Sequence, residues 1–299
     1  MNARTLRLVV DRQFAQARLR TAPANEAPAP ATGRWATLGP DIDYMYKIDP
    51  LWDFLLDYYF RAQTAGWSRI PPGPCLVIGV HAGTWLTMDA WVLVACWWKR
   101  FGEGRILRGT AHDVLMKLPA LGNFFRRTGV VPACREAVGE CLAAGQSVAV
   151  WPGGEQDSMR SYRKRNEVVF AGRRGFVKQA IASGVPIVPV ATVGGAETVF
   201  VLSEGRWLAK ALMCKKWLRS DMAPIVAGLP FGIWLEALPT HIPLPAQIRS
   251  EFLEPVYVED DPDRVNDDAY VNRIYEEVRL RIADGVARLT KERRWPILG

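Results

Sequence analysis

His81 and Asp89 are the side chains of this sequence whose types and spacing suit proton transfer. They sit in VIGVHAGTWLTMDAWVL, residues 77–93, where an apolar run stops at a histidine, passes Gly83 and Thr84, and resumes around an aspartate. An imidazole with an ordinary pKa near ~6.5 accepts a proton at neutral pH, so His81 suits the role of general base. To act it must hold one tautomer, and a carboxylate on its other nitrogen would enforce that. Asp89 is the nearest downstream carboxylate, and a turn into a helix would fold it back on the ring. The plain alternative is a core histidine donating to a backbone carbonyl, and this stretch alone leaves both open.

A second constellation follows. SVAVWP runs into WPGGEQDSMRSYRKRN, residues 151–166. Gly153 and Gly154 let the backbone approach a ligand closely and offer N–H groups to a developing oxyanion or a phosphate, with Glu155 beside them. Arg160, Arg163, Lys164, Arg165, Arg173 and Arg174 come next, against the single acid Glu167. Such a cluster suits phosphate recognition, although a charge run is also what a solvated loop looks like.

The elements that must position these residues alternate. Residues 75–80, 105–111, 147–152 and 185–193 read as buried strands, with a short strand at VVPA. Residues 87–100, 135–145 and 173–184 read as helices, the last two stopped by glycine, and residues 112–129 as a broken helix. Wholly apolar strands between helices predict an α/β fold, a mostly parallel central sheet flanked by helices on both faces. Chemistry in such sheets gathers at the carboxyl ends of strands, and His81 lies at one. Around this core, residues 44–61 (YMYKIDPLWDFLLDYYFR) predict an aromatic amphipathic helix that covers the sheet or faces a membrane. Residues 1–35 are expected to be a basic, partly disordered arm and linker, and residues 36–299 one domain with its motif core at 70–200. Residues 206–240 combine Lys210, Lys215, Lys216 and Arg219 with a proline-broken apolar stretch. That composition suits a segment lying in a headgroup layer, and equally an insertion packed on the core. Residues 248–258 read as a further strand, 259–268 as a solvated acidic loop, and 269–290 as a C-terminal amphipathic helix.

Composition narrows the classes. The 299 residues include 38 Lys+Arg against 31 Asp+Glu, a net charge of +7, and 12 tryptophans. The positive balance points to an anionic partner, and the tryptophans favour a lipid–water interface. Five cysteines without a C-x-x-C give neither a disulfide framework nor a zinc ribbon, and they read as inert core residues of a protein in a reducing cytoplasm. Three scattered histidines offer no metal-ligand spacing. His112 reads as a capping or packing residue able to line the cleft, and His241 as a loop residue. No signal peptide or membrane-spanning run is evident.

Four blocks in order resemble the glycerolipid acyltransferase superfamily, the lysophospholipid acyltransferase-like proteins. HAGTWLTMD is similar to the family's histidine–aspartate block, and GVVPACRE, with Arg135, to its second. VAVWPGGEQD and VPIVPV are similar to the third and fourth. The resemblance covers about residues 70–200. It implies that His81 deprotonates a hydroxyl and that Asp89 orients it. It further implies that Gly83, Thr84, Gly153, Gly154 and Glu155 line the oxyanion and substrate site. Arg135, Arg160, Arg163, Arg165, Arg173 and Arg174 would hold CoA or headgroup phosphate. Residues 117–119 would form part of an acceptor-side wall, with Arg126 and Arg127 near phosphate. Two positions depart from the family: Leu86 stands where its aspartate falls, and Gly153 replaces the glutamate of the third block. The Pro-Gly-Gly-acid order is closer to the branch resembling diacylglycerol and monoacylglycerol acyltransferases, which raises a neutral alcohol as acceptor.

The expected activity is therefore transfer of a fatty acyl group from acyl-CoA, or acyl-carrier protein, to a lipid hydroxyl. Acyl-CoA enters as co-substrate, with no cofactor, no metal and no nucleic acid. The expected setting is peripheral, on the cytoplasmic face of an anionic membrane, and the composition suits a bacterial protein. A thioesterase is the nearest rival; no G-x-S-x-G is present to serve a hydrolase nucleophile. A non-catalytic membrane-surface protein would use the same basic and apolar segments, but would not depend on one imidazole.

Overall fold

The computed structural model of the chain describes residues 33–217 and 220–293. Expectations for residues 1–32, including the basic arm, and for Arg219 lie outside the described residues. The described residues begin with α1 (Arg34–Thr37) and α2 (Ile42–Phe54), which runs into a π-helical turn over residues 55–59. Then follow β1 (Gln63–Ala65), β2 (Leu76–Gly79), α3 (Met88–Phe101), β3 (Leu107–Ala111), α4 (Asp113–Lys117) and α5 (Pro119–Arg127). Next come β4 (Val131–Pro132), α6 (Arg135–Ala143), β5 (Ser147–Val150), α7 (Glu155–Ser158), α8 (Gly175–Ser183) and β6 (Ile187–Val193). The remainder comprises β7 (Phe200–Ser203), α9 (Arg206–Ala211), α10 (Cys214–Trp217), β8 (Ile225–Gly228), β9 (Gly232–Leu235), β10 (Arg249–Phe252) and α11 (Asp268–Glu292).

Seven strands form one sheet in the order β1-β10-β6-β2-β5-β3-β4. The run β6-β2-β5-β3-β4 is parallel, while β10 pairs antiparallel with β6. The central strands are apolar on both faces because both faces are covered. On one side, Leu76, Ile78, Val148 and Ile187 pack under α6, α8 and α11. On the other, Val77, Ala149, Val188 and Val190 meet Leu93 and Trp97 of α3. The mostly parallel α/β architecture expected from the alternation is the observed one, and the broken helix at 112–129 divides at Leu118, where Pro119 starts α5.

Two features were not legible. β7, just before the segment 206–240 expected to lie in a headgroup layer or pack on the core, and β8 and β9 within it form a separate three-stranded antiparallel sheet. Trp35, assigned to the arm, belongs to the body. Its backbone N–H donates to Glu140 (2.7 Å), and its carbonyl accepts from the buried Arg108 on β3. Arg108 donates also to the carbonyls of Leu38 and Gly129 and to Gln146, so one buried cation ties residues 35–38 to the sheet through neutral acceptors.

Candidate active site

A cavity of about 520 Å³ opens at the carboxyl edge of the parallel strands. Each strand there delivers a different loop: His81 after β2, His112 after β3, Cys134 and Arg135 after β4, and Trp151 to Glu155 after β5. Trp91, Val94, Phe125, Val130 and Val138 line its apolar side, and Arg135 and Arg173 are exposed where it meets solvent.

His81 faces this cavity with its ring stacked on Trp151, centroids 5.7 Å apart. Its backbone is clamped at both ends. The His81 N–H donates to Asp157 Oδ2 (2.7 Å), and the His81 carbonyl accepts from Arg160 Nη1 (2.7 Å). Asp157 and Arg160 in turn form a buried ion pair, and Arg160 donates further to the carbonyls of Asp157, Lys164 and Arg165. Arg160 is therefore a buried strut of the histidine loop and not the phosphate ligand expected from the charge run. Burial pushes the Asp157 carboxyl up to about 6 even beside that guanidinium. Burial, and then the positive charge of Arg160, lower His81 to about 3, opposed by a backbone hydrogen bond at Gly154. The imidazole is consequently neutral at physiological pH, and both ring nitrogens are shielded from solvent, with the Gly154 backbone the one group held against them among the described residues. Buried polar atoms normally find partners, so the ring nitrogen left over from that contact, at a cavity, suits a ligand hydroxyl.

Asp89 is placed differently from the expectation. Its Oδ2 accepts from the Ala82 N–H and its Oδ1 from its neighbour Ala90 (both 2.8 Å), so the carboxylate holds the loop behind His81 instead of hydrogen bonding to the ring. The loop closes this way because Gly83 takes φ +97° and turns the Ala82 amide toward the start of α3. Burial raises the Asp89 carboxyl to about 7, against the pull of the two amides. Gly195 backs it closely: a Cβ there would lie 2.3 Å from Asp89 Oδ2. Gly195→Ala should therefore push Asp89 off Ala82 and loosen the His81 loop. We expect a roughly tenfold or greater loss of turnover together with a destabilisation of about 1–3 kcal/mol. Wild-type turnover and melting temperature in the variant would disprove the close fit.

The other expected site residues divide. Gly154 and Glu155 line the cavity, but the Gly154 N–H donates to the Trp151 carbonyl (3.2 Å) and is already spent in a turn. Gly153 lies behind the cavity wall, where a Cβ would meet the Val169 carbonyl at 1.9 Å. The oxyanion role expected for this glycine pair therefore has no support in the geometry. Thr84 lines the cavity with its hydroxyl committed to Glu236 (2.9 Å). Arg165 stacks on Tyr162 at 4.3 Å and lies 3.7 Å from Glu197, and Arg163 and Arg174 are exposed away from the cavity lining. Of the six arginines expected at phosphate, Arg135 and Arg173 are the two on the rim. Arg173 also donates to the Pro152 and Gly153 carbonyls (3.1 Å each).

Both remaining histidines gain definition. His112 caps α4, accepting from Val114, and also lines the cavity. His241 is no ordinary loop residue: it is buried against Glu236. Cys134, expected as an inert core thiol, is exposed on the cavity rim. The residues missed from sequence are Asp157, Trp151 and Glu236. Asp157 and Arg160 lie three apart in the charge run, and a pairing at that spacing was the available signal.

Residues 61–193 match the sequence pattern of the family described as Acyltransferase. An uncharacterized protein of Mycobacterium tuberculosis is 30% identical over 249 residues, covering 83% of this chain and 66% of that protein. The human DGAT1/2-independent enzyme synthesizing storage lipids is 29% identical over 211 residues, covering 69% of this chain and 61% of the enzyme. The chain thus spans just under two thirds of these relatives' length. The crystal structure of a 1-acyl-sn-glycerophosphate acyltransferase from Thermotoga maritima superposes with a TM-score of 0.49 at 19% identity, covering 85% of this chain and 82% of that one.

Proposed function

We propose that this chain, whose residues 61–193 match the Acyltransferase family, moves a fatty acyl group from an acyl thioester to the hydroxyl of a neutral lipid alcohol, with His81 as general base. The observation that carries the reading is the neutral imidazole of His81, with a ring nitrogen free of any protein partner, at a cavity with an apolar wall and an arginine rim. In the reaction, His81 accepts the proton of the acceptor hydroxyl as its oxygen attacks the thioester carbonyl carbon. The tetrahedral intermediate collapses, the C–S bond breaks, and the thiolate takes the proton back from the imidazolium. No acyl-enzyme is formed. Desolvation and Arg160 disfavour a long-lived imidazolium, so proton removal and attack run together. Trp151 stacks on the ring and the Asp157–Arg160 clamp holds the His81 backbone, and such positioning supplies much of the rate enhancement for a reaction that is already downhill.

In this reading Arg135 and Arg173, both on the cavity rim, meet the phosphates of CoA; their exposure at the mouth of the cavity supports that role. The apolar lining takes the acyl chain. A neutral acceptor agrees with the Pro-Gly-Gly-acid order of the β5 loop and with the storage-lipid synthesis named for the human relative. Among the described residues no helix is long and apolar enough to cross a membrane. The exposed apolar residues of α9 and of the β8–β9 hairpin, beside Lys210, Lys215 and Lys216, support peripheral attachment to an anionic bilayer, at its cytoplasmic face.

The test is acyl transfer from labelled long-chain acyl-CoA to lysophosphatidate, other lysophospholipids, monoacylglycerol, diacylglycerol, fatty alcohol and water. Transfer to a neutral alcohol is the expected result. Transfer to lysophosphatidate would overturn the acceptor assignment, and transfer to water alone would make the protein a thioesterase. Within the same assay, Arg135→Glu should raise the KM for acyl-CoA roughly tenfold with kcat little changed, the signature of lost ground-state binding.

A further inference from the structure

Glu236 follows β9 directly and is fully buried, yet it belongs to no step of the reaction described above. Its carboxylate joins two distant parts of the chain. Oε2 accepts from the Thr84 hydroxyl (2.9 Å), and Oε1 meets Nδ1 of the buried His241 in a short contact. The Glu236 carbonyl accepts from the Trp85 indole N–H (3.3 Å), so two successive residues of the His81 loop are moored to one residue of the insertion. Thr84 needs such a mooring. It holds φ +59°, a left-handed conformation in which a β-branched residue is strained and persists only where its surroundings fix it. Its backbone N–H donates to the Ser158 carbonyl (2.9 Å), and the Glu236 bond is its other hold.

The opposite end of the same insertion is apolar and exposed. β8 and β9 form a hairpin whose Val226 and Trp234 face inward, while Phe231 is 63% exposed at its tip and Ile233 69% exposed on its outer face. The adjoining helices add Trp207, 69% exposed, with Leu212, Met213 and the exposed Lys210, Lys215 and Lys216. Lysines beside an exposed tryptophan and aliphatic side chains fit anionic headgroups over acyl chains.

We propose that Glu236 is a positioning residue that transmits seating of the β8–β9 hairpin on an anionic lipid surface to the Gly83–Thr84 turn, ordering the His81 loop when the protein is on its lipid. The proposal rests on the lipid acyltransferase reading for its purpose, but the structural coupling can be measured without it. Seating restrains the hairpin. Glu236, at the hairpin's base, then keeps Thr84 in its strained conformation, and the loop that carries His81 opens less often.

The test is amide hydrogen exchange of residues 82–85, with and without vesicles of phosphatidylcholine and phosphatidylglycerol, in the full chain and in Glu236→Gln. Vesicle flotation of both proteins runs in parallel. Glutamine keeps the volume but cannot accept from Thr84 and His241 at once. The wild-type loop should exchange more slowly on vesicles, on the order of tenfold, while Glu236→Gln floats equally well and shows no slowing. Thr84→Val, which removes only the hydroxyl, should behave like Glu236→Gln, and Thr84→Ser like the wild type. These two keep the question open to experiment if Glu236→Gln does not fold. Equal slowing in Glu236→Gln or Thr84→Val, an unchanged wild-type loop on bound vesicles, or no vesicle binding would each overturn the proposal. Failure of acyl transfer with the exchange result intact would instead overturn the enzymatic reading alone.

Discussion

Replacing His81 by glutamine is expected to lower kcat by about 10²–10⁴-fold while the protein stays folded, because the side chain removed is the general base and its ring carries a stack on Trp151 and one backbone contact at Gly154, not the anchors of the loop. The loop would remain in place, since the clamp from Asp157 and Arg160 grips the His81 backbone and not its ring. KM for acyl-CoA should change little. The pH profile separates this base from an ordinary histidine. With His81 held at about 3, its protonation does not produce an acid limb near neutrality. The limb is expected between about pH 7 and pH 6 and belongs to the two buried carboxyls that hold the loop, Asp89, raised to about 7, and Asp157, raised to about 6. The sign follows from the acceptor role: as pH falls through those values the carboxylates gain protons, their grip on the Ala82 and His81 N–H groups weakens, and kcat/KM declines. A profile flat from pH 8 to 5 would contradict the role of both carboxylates, and a limb that survives in Asp89→Asn would assign it to Asp157. Full activity in His81→Gln would end the general-base mechanism.

Arg160→Met should be the most destabilising single substitution near the site. Its guanidinium and the Asp157 carboxylate are both buried, with side-chain exposures of 5% and 0%. Removing one partner of such a pair costs about 3–5 kcal/mol, because the remaining charge is left uncompensated. In a chain of this size that corresponds to a fall in melting temperature on the order of 10 °C. The double variant Arg160→Met/Asp157→Asn should recover part of the stability, since it leaves no unpaired buried charge. It should not recover activity, since the carbonyl of His81 loses its donor and the N–H of His81 loses a charged acceptor. Thermal melts of the two variants beside acyl-transfer assays decide the point. A single variant that melts like the wild type would refute the clamp.

The parallel character of the central strands was open to reading for a simple reason. β2, β5 and β6 are buried on both faces, so their sequences are apolar without alternation, and the helices between them have room for little but a parallel crossover. β7, β8 and β9 were not open to reading. Each is four residues long, they lie among prolines and glycines, and their outer face is apolar where a solvated sheet would alternate. The period that announces an exposed strand is therefore missing.

By itself, the sequence determined that a parallel α/β sheet brings His81 to the carboxyl end of a central strand, because apolar runs and glycine stops are local signals. Tertiary structure alone decided what surrounds that histidine. The arginines look alike in sequence, but burial makes Arg160 a strut beside Asp157 and leaves Arg135 and Arg173 on the rim. Asp89 was legible as a nearby carboxylate, yet loop closure gave its oxygens to Ala82 and Ala90. Glu236 and Thr84 lie 152 positions apart and meet only when the insertion folds back over the cleft. Charge and hydropathy are written residue by residue, whereas the partner of a buried polar group is chosen by the long-range packing that excludes water from it.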